Sequence, residues 1–152
     1  MILSFNPMVH ARPHLAILIT LCAGIAQAPR ADTEAEILFN HAQTHYAAAR
    51  YGQALDLIQQ AVALEPQNSN YQHLLGKCYG RLAEKANPFA AYTLARKTRK
   101  ALEKAVELDE NNFDALKDLM HYYRRAPVFL GGSREKADAI EKKLSETGGS
   151  TG

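Results

Sequence analysis

The chain has 152 residues, 47% hydrophobic and 22% charged, which is length for about one domain of 100–200 residues and enough apolar content for a core. A disordered tail and a collagen-like fibre are excluded, and a formal net charge of +2 provides no overall field to steer the molecule onto nucleic acid or an anionic membrane. Two cysteines, Cys22 and Cys78, with no CxxC pair, make neither a disulfide framework nor a redox or Cys-rich zinc motif.

Residues 1–14 carry Arg12, His10 and His14 and no acid, and residues 15–25 read LAILITLCAGI, eleven positions without charge. Such a run has the length of a signal-peptide core, about 7–15 residues, and falls short of the roughly 20 needed to span a bilayer. Residues 1–28 are therefore expected to be a secretory signal. Gly24, Ala26 and Ala28 are small enough for cleavage after Ala26 or after Ala28, the second placing Pro29 beside the scissile bond. Leu21 before Cys22 departs from the small residue that lipidation requires. Removal of the signal leaves Cys78 alone and excludes an intramolecular disulfide. Retention would make the protein membrane-tethered.

A helical hairpin is expected next, turning at Ala49, Arg50, Tyr51 and Gly52 and ending before Pro66, which cannot continue a helix. A second helix pair starts at Ser69. Its first helix runs to about Lys85, Asn87 and Pro88 supply an N-cap and first-turn proline, and a long helix follows over 89–108. Leu94, Thr98, Ala101, Leu102, Ala105 and Val106 recur there at steps of three and four, one buried stripe. A third unit opens at Phe113, with a loop over 126–133 and a short helix over 136–144; residues 145–152 are expected to be a flexible tail.

The chain also repeats itself. AVALEPQN at 61–68 returns as AVELDENN at 105–112, and residues 35–68 form a 34-residue unit with small or apolar residues at Leu38, Ala42, Ala54, Ile58 and Ala61, then Pro66. Leu75, Gly76, Lys77, Cys78 and Tyr79 spell L-G-x2-Y, and Leu119 to Tyr123 occupy the same frame. This pattern resembles the tetratricopeptide repeat. Units of 35–68, 69–112 and 113–144 follow, the second ten residues longer than the motif, within a repeat domain spanning 29–144. The resemblance implies an all-α, right-handed helix-turn-helix solenoid of about three helix pairs, the second pair extended. With LGKCYGRLAEKANP and the AP-x-FLGG loop, the chain is similar to exported bacterial tetratricopeptide proteins, a group that lends no activity.

In that family the first helices line a concave groove that takes peptides. The positions carried over are Glu36, Phe39, Gln43, Tyr46 and Ala47; Asn70, His73, Lys77, Gly80 and Arg81; and Asp114, Lys117, His121, Arg124 and Arg125. The partner-binding set is expected to be Phe39, Gln43, Tyr46, His73, Lys77, Arg81, Lys117, His121 and Arg124. Its apolar end and basic end suit a peptide with an acidic group and an apolar anchor. The family's carboxylate clamp is not reproduced, since Phe39, Leu74, Asp114 and Asp118 stand in its place. The acids Asp109, Glu110 and Asp118 are expected in turns or on other faces.

His41 and His45 have the i, i+4 spacing of a helical metal site, but HAQTH lacks the glutamate of HExxH. Both are expected to be core or half-core histidines. No nucleophile triad, paired carboxylates or phosphate loop is present. Residues 77–104 hold eight basic and two acidic side chains, and the 96–104 stretch is expected to be a solvated face. No aromatic lies between Thr93 and Asn112 to stack on bases. The expected function is an exported, periplasmic, non-enzymatic module that binds protein or peptide, without cofactor, metal or nucleic acid. An uncleaved membrane-tethered scaffold is the alternative, and a metal-dependent enzyme using His41 and His45 a distant third.

Overall fold

A computed structural model describes residues 32–148, and all regular structure among these residues is helical. The expected signal segment, 1–28, lies outside them, as do residues 149–152. Six α-helices follow in order: α1 (Glu34–Ala47), α2 (Tyr51–Leu64), α3 (Ser69–Ala83), α4 (Pro88–Leu108), α5 (Phe113–Arg125) and α6 (Arg134–Gly148), with a 3₁₀ turn at Val128–Leu130 before α6. Successive helices pack as the hairpins α1/α2, α3/α4 and α5/α6.

Side-chain caps set five of the helix starts, that of α6 through Ser133 Oγ, which accepts the Lys136 N–H at 3.2 Å. Thr33 and Glu36 form a reciprocal capping box at α1, and the side chains of Asn68, Asn87 and Asn112 accept backbone N–H groups at the starts of α3, α4 and α5. These oxygens satisfy donors that a helix cannot pair internally. Pro88 takes the first position of α4, where no N–H is needed.

The hairpins close on alanine. Ala42, Ala54, Ala61, Ala105, Ala115 and Ala137 are fully buried, so backbones approach where a larger side chain would hold them apart. One apolar cluster joins Ile58, Tyr71, Leu74 and Cys78 to the alanines of α1 and α2; another joins Leu102, Leu119, Met120 and Tyr123 to Ala137. Polar side chains tie one hairpin to the next. Ser69 Oγ donates to the Ala105 carbonyl at 2.8 Å, while Asn112 Nδ2 donates to Ser69 Oγ at 2.8 Å and to Asn70 Oδ1 at 3.2 Å. The start of α3, the end of α4 and the start of α5 are thereby held in one register.

Three local features depart from expectation. Gly52 lies inside α2, and the left-handed residue of the first turn is Ala49, φ 57°, a conformation that costs a residue with a Cβ. The last helix starts two residues earlier than expected and continues through Gly148, so residues 145–148 are helical. Ser145 and Thr147 hydroxyls donate to the carbonyls of Lys142 and Lys143 there. His41 is exposed, because Ala42 beside it takes the packing position.

Candidate functional site

A cleft of about 470 Å³ opens between α3 and α5 with α4 as its floor. Ala95, Thr98 and Leu102 of α4 form that floor; Lys77, Gly80 and Arg81 stand on the α3 side and Asp118, His121, Tyr122 and Arg125 on the α5 side. Tyr46 of α1, Ala83 and Glu84 at the end of α3, Ala126 after α5 and Leu130 of the 3₁₀ turn complete the lining. Gly80 keeps the wall thin: a Cβ there would rest 3.6 Å from Thr98 Cγ2, an ordinary contact. The Thr98 hydroxyl is satisfied by donating to the Leu94 carbonyl at 3.0 Å, so the floor presents its methyl without an unpaired donor. The Tyr122 hydroxyl donates to the Leu130 carbonyl at 3.0 Å and fixes the loop against α5.

One hydrogen bond joins the two walls. His73 Nε2 lies 2.7 Å from Asp118 Oδ2, with the histidine side chain only 12% exposed. Burial on its own would raise the pKa of Asp118, but the hydrogen bond from His73, with the charges of His73, Lys77 and His121, outweighs it and holds the carboxyl below its ordinary value. Asp118 therefore sits among the groove residues as an anion, not on another face as its sequence position implied. It offsets part of the positive charge there.

The cations are not equivalent. Arg81 donates to Glu84 at 2.9 Å and to the Tyr51 hydroxyl at 3.3 Å, so its charge is largely engaged. Lys77 extends over the Tyr46 ring, 4.9 Å from its centroid, and neither it nor Arg125 has an ion-pair partner among the described residues. These two are the charges available to a ligand. Cys78, behind the wall, is fully buried, and burial pushes its thiol up to about 12, so it is not a nucleophile at neutral pH.

Of the nine residues expected to bind a partner, Tyr46, Lys77, Arg81 and His121 line the cleft and His73 braces it. Four stand elsewhere. Phe39 packs on Tyr71, ring centroids 4.8 Å apart, as part of the first apolar cluster, and Gln43 is exposed on α1. Lys117 reaches Asp114 on its own helix at 3.9 Å. Arg124 is drawn to α6, where it meets Asp138 at 3.3 Å and Glu141 at 2.9 Å, and its neighbour Arg125 takes the cleft position instead. The floor residues and Tyr122 were not expected. The α4 stripe was the available signal, but its residues were all assigned to the core. Of the proposed histidine pair, His45 Nδ1 accepts from Arg50 Nε at 2.9 Å. Among the described residues no group of three or more His, Cys, Asp or Glu side chains is placed to hold a metal ion.

No family model matches the chain, and no curated protein matches it. Among solved structures it is similar to a chain of the human IFIT1 dimer with PPP-AAAA, with a TM-score of 0.63 and 23% identity over 74% of this chain and 25% of that one. The chain thus spans about a quarter of that neighbour's length. The likeness shows the fold, an all-helical, tetratricopeptide-like solenoid.

Proposed function

We propose that this solenoid is a tetratricopeptide-repeat binding module, without catalytic activity of its own, that takes a segment of another protein in the cleft between α3, α4 and α5. The observation that carries this reading is an apolar surface of Ala95, Leu102 and Leu130 facing two cations, Lys77 and Arg125, neither of which is held in an ion pair by a carboxylate of the described residues. An aliphatic or aromatic side chain of the segment fits the floor, and an acidic side chain nearby meets the cations. A tightly braced wall, His73 on Asp118, means little ordering is needed on binding. Export to the bacterial periplasm, with the mature chain starting between Gln27 and Ala31, rests on the sequence of residues 1–28 alone. The intact mass of the exported protein separates this from retention as a tether.

The neighbouring structure carries PPP-AAAA, which motivates a second reading, an anionic nucleic acid in the same cleft. The apolar floor and the presence of Asp118 and Glu84 in the lining favour a protein segment. The test is charge reversal of Lys77 and Arg125 to Glu in cells, followed by crosslinking and recovery of the partner. Recovery should fall by about tenfold, equivalent to roughly 1.4 kcal/mol, and wild-type capture should weaken with salt, since exposed charges are screened over about 10 Å at 0.1 M. Reversal of Arg96 and Lys100, outside the cleft, should do much less. Greater damage from that outer pair, or displacement of the partner by a single-stranded oligonucleotide, would overturn the reading.

A further inference from the structure

A second surface, apart from the cleft, combines features that water alone does not explain. Phe89 is 84% exposed, Val128 86% and Phe129 73%. The first lies in the opening turn of α4 and the other two in the 3₁₀ turn, yet they belong to one patch: the rings of Tyr92 and Phe129 stack with centroids 6.4 Å apart and planes 13° from parallel. Positions 89, 92, 96 and 100 follow one another at steps of three and four and so share one face of α4. Along that face the side chains change from apolar to cationic. Arg96 lies 5.7 Å from the Tyr92 ring centroid, and Lys97 and Lys100 border the same shallow hollow of about 250 Å³.

These three cations have no acidic partner among the described residues, whereas Arg99 and Lys104 on the same helix meet Glu103 and Glu107. The N-terminal turn of α4 adds its own partial positive charge beside Phe89. We propose that the outer end of α4 and the 3₁₀ turn together form a contact site for an anionic lipid surface, with Phe89, Val128 and Phe129 entering the headgroup region and Arg96, Lys97 and Lys100 meeting its negative groups. Protruding apolar tips with a collar of unpaired cations are what interfacial binding requires: the tips leave water for the acyl boundary, and the cations hold the anionic headgroups. Base stacking could use only the exposed rings of Phe89 and Phe129, whereas Val128, the most exposed of the three tips, has no ring to stack and suits an acyl boundary. The site does not depend on the cleft or on its ligand.

The sequence has no tryptophan, so Phe129→Trp in the full-length protein introduces a single local reporter. Vesicles of phosphatidylcholine containing phosphatidylglycerol should shift its emission to the blue and, with brominated acyl chains, quench it; phosphatidylcholine alone should not. Lys97→Glu with Lys100→Glu in that background should abolish the response. Ile37→Trp, at a half-exposed position of α1 in the otherwise unchanged protein, should not respond, which separates docking through this patch from capture by the apolar residues 15–25. Four results would overturn the proposal. They are a reporter at 129 that stays in water with anionic vesicles, an equal response to uncharged vesicles, an emission already blue or concentration-dependent in buffer, as a second copy or another segment on the patch would give, and a response to a single-stranded oligonucleotide in place of vesicles.

Discussion

A Cβ at position 76 would lie 2.9 Å from Leu102 Cδ2 and 3.4 Å from the Leu102 backbone nitrogen, so glycine is what lets α3 approach α4. Gly76→Leu has nowhere to place its side chain except against α4, and overpacking of this kind costs about 1–3 kcal/mol. A lowered urea midpoint is expected. Gly80→Ala meets only the Thr98 side chain, its methyl and hydroxyl both at ordinary distances, and alanine is favoured over glycine in a helix by about 1 kcal/mol, so its midpoint should hold or rise. Asp118 gives the corresponding electrostatic test. Its folded pKa is depressed, so the stability it contributes is present above the ordinary carboxylate value, about 3.9, and is lost as pH falls through the lower folded value. The stability difference between wild type and Asp118→Asn should shrink as pH falls below about 4. A difference that grows on acidification below that pH would contradict the assignment.

Among the elements, α4 makes the clearest case for local control. Asn87 Oδ1 accepts the Ala90 N–H at 3.0 Å, and loss of such a cap costs about 0.5–2 kcal/mol. Asn87→Ala should lower the melting temperature, while Asn87→Ser should largely restore it. The start of α4 was legible in the sequence because Asn87 and Pro88 are residue types that begin helices, whereas the start of α6, capped by Ser133, was placed two residues late. Ends decided by packing were not legible. Nothing in the sequence at 49–52 says that Ala49 takes the left-handed turn while Gly52 joins α2. The last helix outruns its apolar stripe because Ser145, Glu146 and Thr147 can follow the helical ladder without contributing to the core. The site divides in the same way. Tyr46, Lys77, Arg81 and His121 were found from the repeat frame, since that frame fixes which face of a first helix looks inward. Arg124 and Arg125 are neighbours on α5, and which one enters the cleft depends on the carboxylates that α6 brings to Arg124. The floor escaped because Thr98 and Leu102 serve both the core and the cleft.

On the scale of the whole solenoid, the extended middle hairpin is what turns a repeat into a site. The first and third hairpins, whose apolar clusters are separate, are joined through α3 and α4, and the gap between α3 and α5 is bridged at His73 and Asp118 and open beyond. In the proposed reading, this inner surface meets a partner segment at two chemically different points, the floor and the cations. The most direct measurement is site-specific photocrosslinking in cells, with a photoreactive phenylalanine replacing Tyr122 in the cleft in one variant and Gln43 on exposed α1 in another. The same discrete protein adduct should form from position 122 and be lost on reversal of Lys77 and Arg125, with none from position 43. Adduct formation from position 43, or a position 122 adduct indifferent to those two charges, would contradict capture in the cleft.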